Sequence, residues 1–533
     1  MKVTRSNGLA MVLVCMTLMI ASCGKSDNSS APAAVDTTTI TGSVYAAPVA
    51  GAAVSVKDSS GNVVAGPVTA AADGTYSVAV PTSRLTGSLR FEATGGAFTD
   101  EATGSNTNAG RLAAYVEGGT LSTGSAVHLD PSSTVVHDLV TSGSCTSVSG
   151  AKSVFGAAFG YTPDTSLAPQ DPDSQLTDGS DAPRRLAGLR AAAFSWIAHD
   201  IGLTPGQQFD LIKAMAKDLS DGTADGNYNG VAIEVVPGIN LPADWKTRFD
   251  SAMSAMANVR LTSSYRVTYM PGMGMMAPIA GKSQFQIKLA KRDNTPATGL
   301  ALKIKPTMHM DSGMNHSTPV DLVSESTTTP GTYNCTAYYL MASGLGMGFW
   351  DLKVDITNGT STESAMFFPP VGMAMGTTTG RTTLKGVNDM ILSSPTGTAT
   401  EKRTYYLFND GLTSSMNKYT FKLFLATKES MMSYPAVATG TSLKNEQNTS
   451  WVVNPITVDA STDKTTWFPA TEGTVAGHWS IANLTGLSSG QTGTIYVRMS
   501  VNNEVKSTNG MATSSTGTNG YATFTVTPAT SGM

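Results

Sequence analysis

Residues 40–81 read ITGSVYAAPVAGAAVSVKDSSGNVVAGPVTAAADGTYSVAVP. Apolar side chains recur at every second position, as at Val54 and Val56 or Tyr76 and Val78, which is the period of a strand with one buried face. Asp58-Ser59-Ser60-Gly61 and Asp73-Gly74 interrupt the pattern with hairpin signals. Short alternating strands with Gly- and Asp-rich turns predict a β-sandwich. The same rhythm returns downstream at 265–270, 283–289, 300–304, 331–340 and 350–356, separated by Gly, Pro and Asn turns.

A chain of 533 residues is too long for one core, so three or four domains are expected. Charged residues make up 14 % and glycines number 53, which suits extracellular β-sandwiches and argues against a cytosolic helical enzyme. A net charge of −4 leaves no electrostatic footprint for nucleic acid.

Between the two β-rich parts the period changes. Asp130-Pro131-Ser132-Ser133 precedes an apolar run, and Leu186, Leu189, Phe194, Ile197 and Ile201 keep helical spacing over 184–201. Thr204-Pro205-Gly206-Gln207 is a capping box with proline at the first helical position, followed by a stripe of Phe209, Ile212, Met215 and Leu219. A further helix is expected over 243–259. His199 reads as a partly buried packing residue. The turn from Asp221 to Asn227 opens like a calcium loop, but Ala232 stands where a bidentate glutamate is required, so a polar turn is the better reading.

Lys2 and Arg5 precede an apolar stretch, 9–20, too short to span a bilayer as a helix. It ends in Ile20-Ala21-Ser22-Cys23, which resembles a bacterial lipobox. The resemblance implies cleavage before Cys23, its lipidation, and membrane attachment by several acyl chains. Gly24 after the cysteine is similar to outer-membrane sorting signals, which places the protein in the cell envelope. Residues 26–39 form a small-polar spacer. With Cys15 removed and Cys23 lipidated, Cys145 and Cys335 remain. They fall in different expected domains and read as two free thiols.

The 40–128 segment resembles the carboxypeptidase-regulatory, prealbumin-like family. The matching residues are Gly42 and Val44, Val49 to Ala52 with Val54 and Val56, and Asp73 to Val78. That likeness implies a spacer sandwich, with carbohydrate binding as the lesser reading. Farther on, 418–424 echoes 282–288, and Gly477-His478-Trp479 echoes Gly348-Phe349-Trp350. These echoes predict a duplicated immunoglobulin-like sandwich. The resulting plan is a mainly β multi-domain chain: signal peptide 1–22, lipidated linker 23–39, sandwich 40–128, helical bundle 129–260, and tandem sandwiches 261–380 and 381–533.

One stretch carries chemistry. In 303–317, KIKPTMHMDSGMNHS, three methionines and two histidines crowd into what reads as a loop after Pro306, in a chain with only 6 His and 4 Cys. Thioether sulfur is a poor ligand for hard ions and a good one for Cu(I), and imidazole binds copper in both oxidation states. Methionine forms no disulfides in an oxidising envelope. Zinc would ask for cysteines or closely spaced histidines. About half of the 26 methionines lie between Met270 and Met390, including Met273, Met275 and Met276, the pair Met341 and Met347, and Met373 with Met375. The expected Cu(I) donors are Met308, His309, Met310, Met314 and His316, helped by Met273, Met275 and Met347. The stretch 284–356 resembles the YtkA-like family, similar in turn to FixH- and CopC-type envelope proteins, through this loop, Gly331-Thr332-Tyr333 and Gly348 to Leu352. The resemblance implies a β-sandwich with a role in metal handling; the second copy lacks the loop.

The expected function is therefore non-enzymatic: a lipid-anchored envelope protein that buffers or delivers copper(I), passing it to an envelope protein partner. The alternative is a structural or interaction lipoprotein whose Met-lined loops contact a protein partner or whose sandwiches bind carbohydrate, since methionine also lines adaptable binding surfaces. No Gly-rich phosphate loop, Gly-x-Ser-x-Gly elbow or His-Glu-x-x-His helix is present. His137-Asp138 pairs a base with an orienter in sequence, but neighbours on a helix are expected to point apart.

Overall fold

Strands Thr37–Ser43 and Thr75–Pro81 pair in one sheet, while Val63–Thr69, Ala53–Asp58, Leu89–Thr94 and Leu112–Val116 form the facing one. The structure is a computed structural model that describes residues 35–529 apart from 177–180, 273–276, 375, 395–396, 416–417 and 516. The expected signal peptide and lipidation site Cys23, and the expected donors Met273 and Met275, lie outside the described residues. Of the two turn signals in 40–81, Asp58 makes the expected hairpin, its Oδ1 accepting from the N–H of Ser60 and Asn62. Asp73-Gly74 does not. It hands the chain from one sheet to the other, and a Cβ on Gly74 would sit 2.6 Å from the Val44 carbonyl oxygen.

The helices are α1 Pro131–Thr141, α2 Val148–Phe159, α3 Ala182–Asp200, α4 Gln208–Leu219 and α5 Trp245–Ala257. Asp130 caps α1 by accepting from the Ser133 N–H at 2.6 Å, and the Thr204 N–H donates to Gln207 Oε1 at 2.8 Å ahead of α4. These helices bury their apolar faces against the first sandwich: Ile40, Phe91 and Leu112 belong to the same core as Phe155, Phe194 and Trp245. His199 is exposed at the end of α3 rather than packed. In the acidic turn, Asp221 accepts from the N–H groups of Thr223 and Asn229, so the chain itself satisfies the carboxylate. Among the described residues no helix is long and apolar enough to cross a membrane.

Two immunoglobulin-like sandwiches follow. In the first, strands run in the order Val259–Leu261, Tyr265–Pro271, Gly281–Lys291, Thr332–Tyr339, Ser324–Glu325 across one sheet. Asn315–Ser317, Ala301–Met310, Gly348–Asn358, Ser361–Phe367 make the other. In the second, Arg381–Leu392, Thr400–Ser415, Lys418–Thr427, His478–Leu484, Thr471–Glu472 face a sheet built on Ile456–Ser461 and Gly493–Val501. The layouts correspond, but the expected echo of Gly348 in Gly477 is out of place. The Gly331 carbonyl accepts from the Leu289 N–H at 2.7 Å, and the Gly477 carbonyl accepts from the Leu425 N–H at 2.7 Å. Both glycines have positive φ, 73° and 86°, and neither has room for a Cβ. Gly477 is thus the counterpart of Gly331, and the likeness to Gly348-Phe349-Trp350 is a coincidence of letters.

The sandwiches are fastened together. The Tyr338 and Phe424 rings stack at 4.0 Å, and Tyr338 Oη donates to Asp410 at 3.0 Å. His478 bridges Asp410 (3.2 Å) and Asp321 (3.0 Å), and Lys282 reaches Asp410 at 2.8 Å. Hydrogen bonds from Asp321 first, then Asp410, push His478 up to about 9.

Candidate metal centre

The Met/His stretch is not a loop. Residues 306–310 continue the strand Ala301–Met310, and a tight turn returns the chain as Asn315–Ser317, with Met308 opposite His316 and His309 opposite Asn315. Pro306 is tolerated there because the returning strand pairs only with Thr307 to His309, so at 306 that side is a sheet edge that asks for no N–H. Strand alternation then divides the expected donors between two faces.

His309 falls on the outer face. Its Nε2 lies 2.5 Å from Asp351 Oδ2, and its ring stacks on Phe349 at 4.8 Å. Phe349 in turn packs against the α3 residues Leu186 and Leu189, so this face is the joint with the helical part. Burial pushes the Asp351 carboxyl up against the opposing pull of His309. His309 is committed to that pair and is removed from the expected donor set. Met314, at the hairpin turn, is 54 % exposed and stands apart from the core.

Met308, Met310 and His316 share the inner face. Met308 is fully buried, and Met310, Met341 and Met347 pack against the same core. His316 Nδ1 lies 2.8 Å from the Ser317 carbonyl oxygen, and Nε2 lies 3.5 Å from Met341 Sδ. A carbonyl oxygen can only accept, so Nδ1 carries the proton and Nε2 presents a lone pair. Burial, with the charges of Arg381 and Lys428, lowers the His316 pKa against the opposing pull of the Ser317 carbonyl and so favours the neutral ring. The thioether donates no proton either. Two soft lone-pair donors therefore face one another inside an apolar core. Trp350 holds this arrangement: its Nε1 donates to the Met341 carbonyl at 3.0 Å, and its ring meets His316 edge-on at 5.3 Å.

The donor set fits a soft monovalent ion. A closed-shell first-row ion bonds imidazole nitrogen at ~2.0 Å and sulfur at ~2.3 Å, which at a tetrahedral angle separates the two donors by ~3.5 Å. The observed separation is 3.5 Å. Met308, directly opposite His316 in register, brings a second sulfur, and so a third donor, to the same face. Among the described residues no three His, Cys, Asp or Glu side chains gather as a metal-holding group, so the inner-face donors are one imidazole and thioethers.

Met341 and Trp350 are the site residues that sequence reasoning missed as donor and support. Their partnership depends on a cross-sheet contact that no spacing announces. The thiols of Cys145 and Cys335 are both free, as expected, and burial pushes Cys335 up to about 12. His137 and Asp138, expected to point apart, touch: Nδ1 lies 2.8 Å from Asp138 Oδ1, and Arg111 pairs with the same carboxylate at 2.6 Å. His137 is 3 % exposed, so this cluster sits within the packing between α1 and the first sandwich.

No protein-family model matches the chain, and no curated protein matches its sequence. Among solved structures, a chimeric titin Z1Z2 is similar over 51 % of this chain and all of its own, at 10 % identity and TM-score 0.13. The Yersinia pseudotuberculosis adhesin InvE is similar over 51 % of this chain and 60 % of its own, at 14 % identity and TM-score 0.14. Domains 4–9 of the surface layer protein SbsC are similar over 51 % and 32 %, at 14 % identity and TM-score 0.14. Likenesses this remote carry no argument about the site.

Proposed function

We propose that the first tandem sandwich binds copper(I) on its inner face, through His316 Nε2 and Met341 Sδ with Met308 beside them, in a cell-envelope protein tethered at Cys23. The observation that carries this reading is the 3.5 Å approach of an unprotonated imidazole nitrogen to a thioether sulfur, neither of which has a proton to offer the other. Soft donors in a dry core favour Cu(I) over hard ions and over Cu(II). The chain's own residues keep the ring neutral, fix its tautomer through the Ser317 carbonyl, and hold Met341 through Trp350. Met310 and Met347, partly buried, pack against the same core. Buffering or handing on of metal within the envelope follows from such a site.

The test is a titration of the soluble chain with Cu(I) against a competing chelator, beside Met341→Leu and His316→Ala variants. Tight stoichiometric binding lost in both variants supports metal handling. Equal, weak uptake by all three chains overturns it and leaves the interaction reading, in which exposed Met314 and its neighbours contact a protein partner.

A further inference from the structure

A shallow cleft of about 240 Å³ opens on the second tandem sandwich. Its floor is unusual for a β-sandwich. Asp389 accepts from Arg403 Nε at 2.8 Å, from Tyr405 Oη at 2.5 Å and from Lys506 Nζ at 3.1 Å. Lys506 also pairs with Glu504 at 2.8 Å, and Glu504 accepts the N–H groups of Val387 and Asn388. Arg403 is fully buried and Lys506 is 1 % exposed. Buried ion networks add little to stability over an apolar core, so their presence beneath a cleft points to a built surface rather than to packing.

Above that floor stands Trp451, on the short strand Ser450–Val452, with the Arg403 guanidinium 5.4 Å behind its ring. Around it lie the amides of Asn388, Asn445 and Asn502, the Glu446 carboxylate and the Met390 side chain. Asn502 and Asn445 are held in place by the chain: the Asn502 amide bonds Asn454 N and Val452 O, and Asn445 Oδ1 caps its own turn. A flat indole beside amides and a carboxylate that pair with adjacent hydroxyls is the chemistry that recognises a pyranose, whose C–H face is apolar and whose rim is polar. The volume is below the ~300–1,000 Å³ of a drug-sized ligand and suits a single sugar ring or two. Among the lining side chains the carboxylates of Asp389, Glu446 and Glu504 outnumber the ammonium of Lys506, which disfavours acidic sugars.

We propose that this cleft binds a neutral pyranose unit of a glycan, with Trp451 as its stacking platform. The inference is independent of the metal reading. The experiment titrates the full soluble chain with cellohexaose, maltohexaose and chitohexaose, and with an oligogalacturonate of similar length, reading calorimetric heat and tryptophan fluorescence. Saturable binding of at least one neutral hexasaccharide is expected. Trp451→Ala should weaken it at least tenfold and Asn445→Ala severalfold, each in a chain whose circular dichroism shows the fold retained, although both should melt somewhat lower because Trp451 packs on the core and Asn445 caps its turn. Absence of binding to all three neutral sugars, undiminished binding by a folded Trp451→Ala chain, or preference for the oligogalacturonate overturns the proposal.

Discussion

Replacing Trp350 with phenylalanine separates a supporting role at the metal site from a merely structural one. Trp350 is fully buried, and its Nε1 is the partner of the Met341 carbonyl at 3.0 Å. The phenyl ring removes roughly three methylene-sized groups from the core, worth ~2 kcal/mol at ~0.8 kcal/mol each. Leaving the Met341 carbonyl unpaired costs a further ~1–3 kcal/mol. The sandwich should therefore lose ~3–5 kcal/mol, read as a drop in its urea midpoint at unchanged slope. Cu(I) affinity should fall by ~10–100-fold, the range for groups that orient a ligand without touching the metal. A variant that loses the expected stability yet holds Cu(I) within twofold of the parent chain refutes the argument that Trp350 positions Met341.

The joint between the tandem sandwiches should weaken in alkali. His478, raised to about 9, contributes stability that is complete below the ordinary histidine range near ~6.5 and is lost as pH climbs through about 9, so melts of the full chain should show the joint loosening between neutral pH and pH ~10. His478→Ala should abolish that dependence. Gly331→Ala and Gly477→Ala should each cost more than the ~1–2 kcal/mol of a left-handed non-glycine residue, because both Cβ atoms would strike backbone oxygen. Gly346→Ala, with φ of 78° and open space, should cost only the conformational part, as denaturant curves would show. Cys335, buried and pushed up to about 12, should resist alkylation in the folded chain, whereas partly exposed Cys145 should react first, as peptide mass mapping would show.

The β-rich architecture was legible because strand period and turn residues are local signals. Tyr265, Val267 and Tyr269 alternate inward over a short stretch and needed no partner to be read. The union of the helices with the first sandwich was not, since a core shared by Phe91 and Trp245 is a matter of docking between distant segments. Pro306 misled in a specific way: it looked like a strand end but sits where one neighbouring strand is missing. That single misreading turned a two-faced hairpin into a loop and grouped His309 with donors that lie on the far side of the sheet. Half of the candidate site, Met308 and His316, was visible in composition. The other half, Met341 under the Trp350 indole, comes from a strand end more than twenty residues away.

Gly348 limits what can stand where the two strands of the candidate metal site's sheet meet most closely. Its φ is 113°, and any Cβ there would fall 2.0 Å from the His309 carbonyl oxygen, so in the observed register, with Gly348 opposite Met310, only glycine lets the strands approach this closely. A slip by one residue would exchange the two faces, carrying His309 into the core and Met308 out toward α3. An insertion or deletion of odd length within either strand would do the same, so new donors can be recruited to the inner face only in steps of two positions.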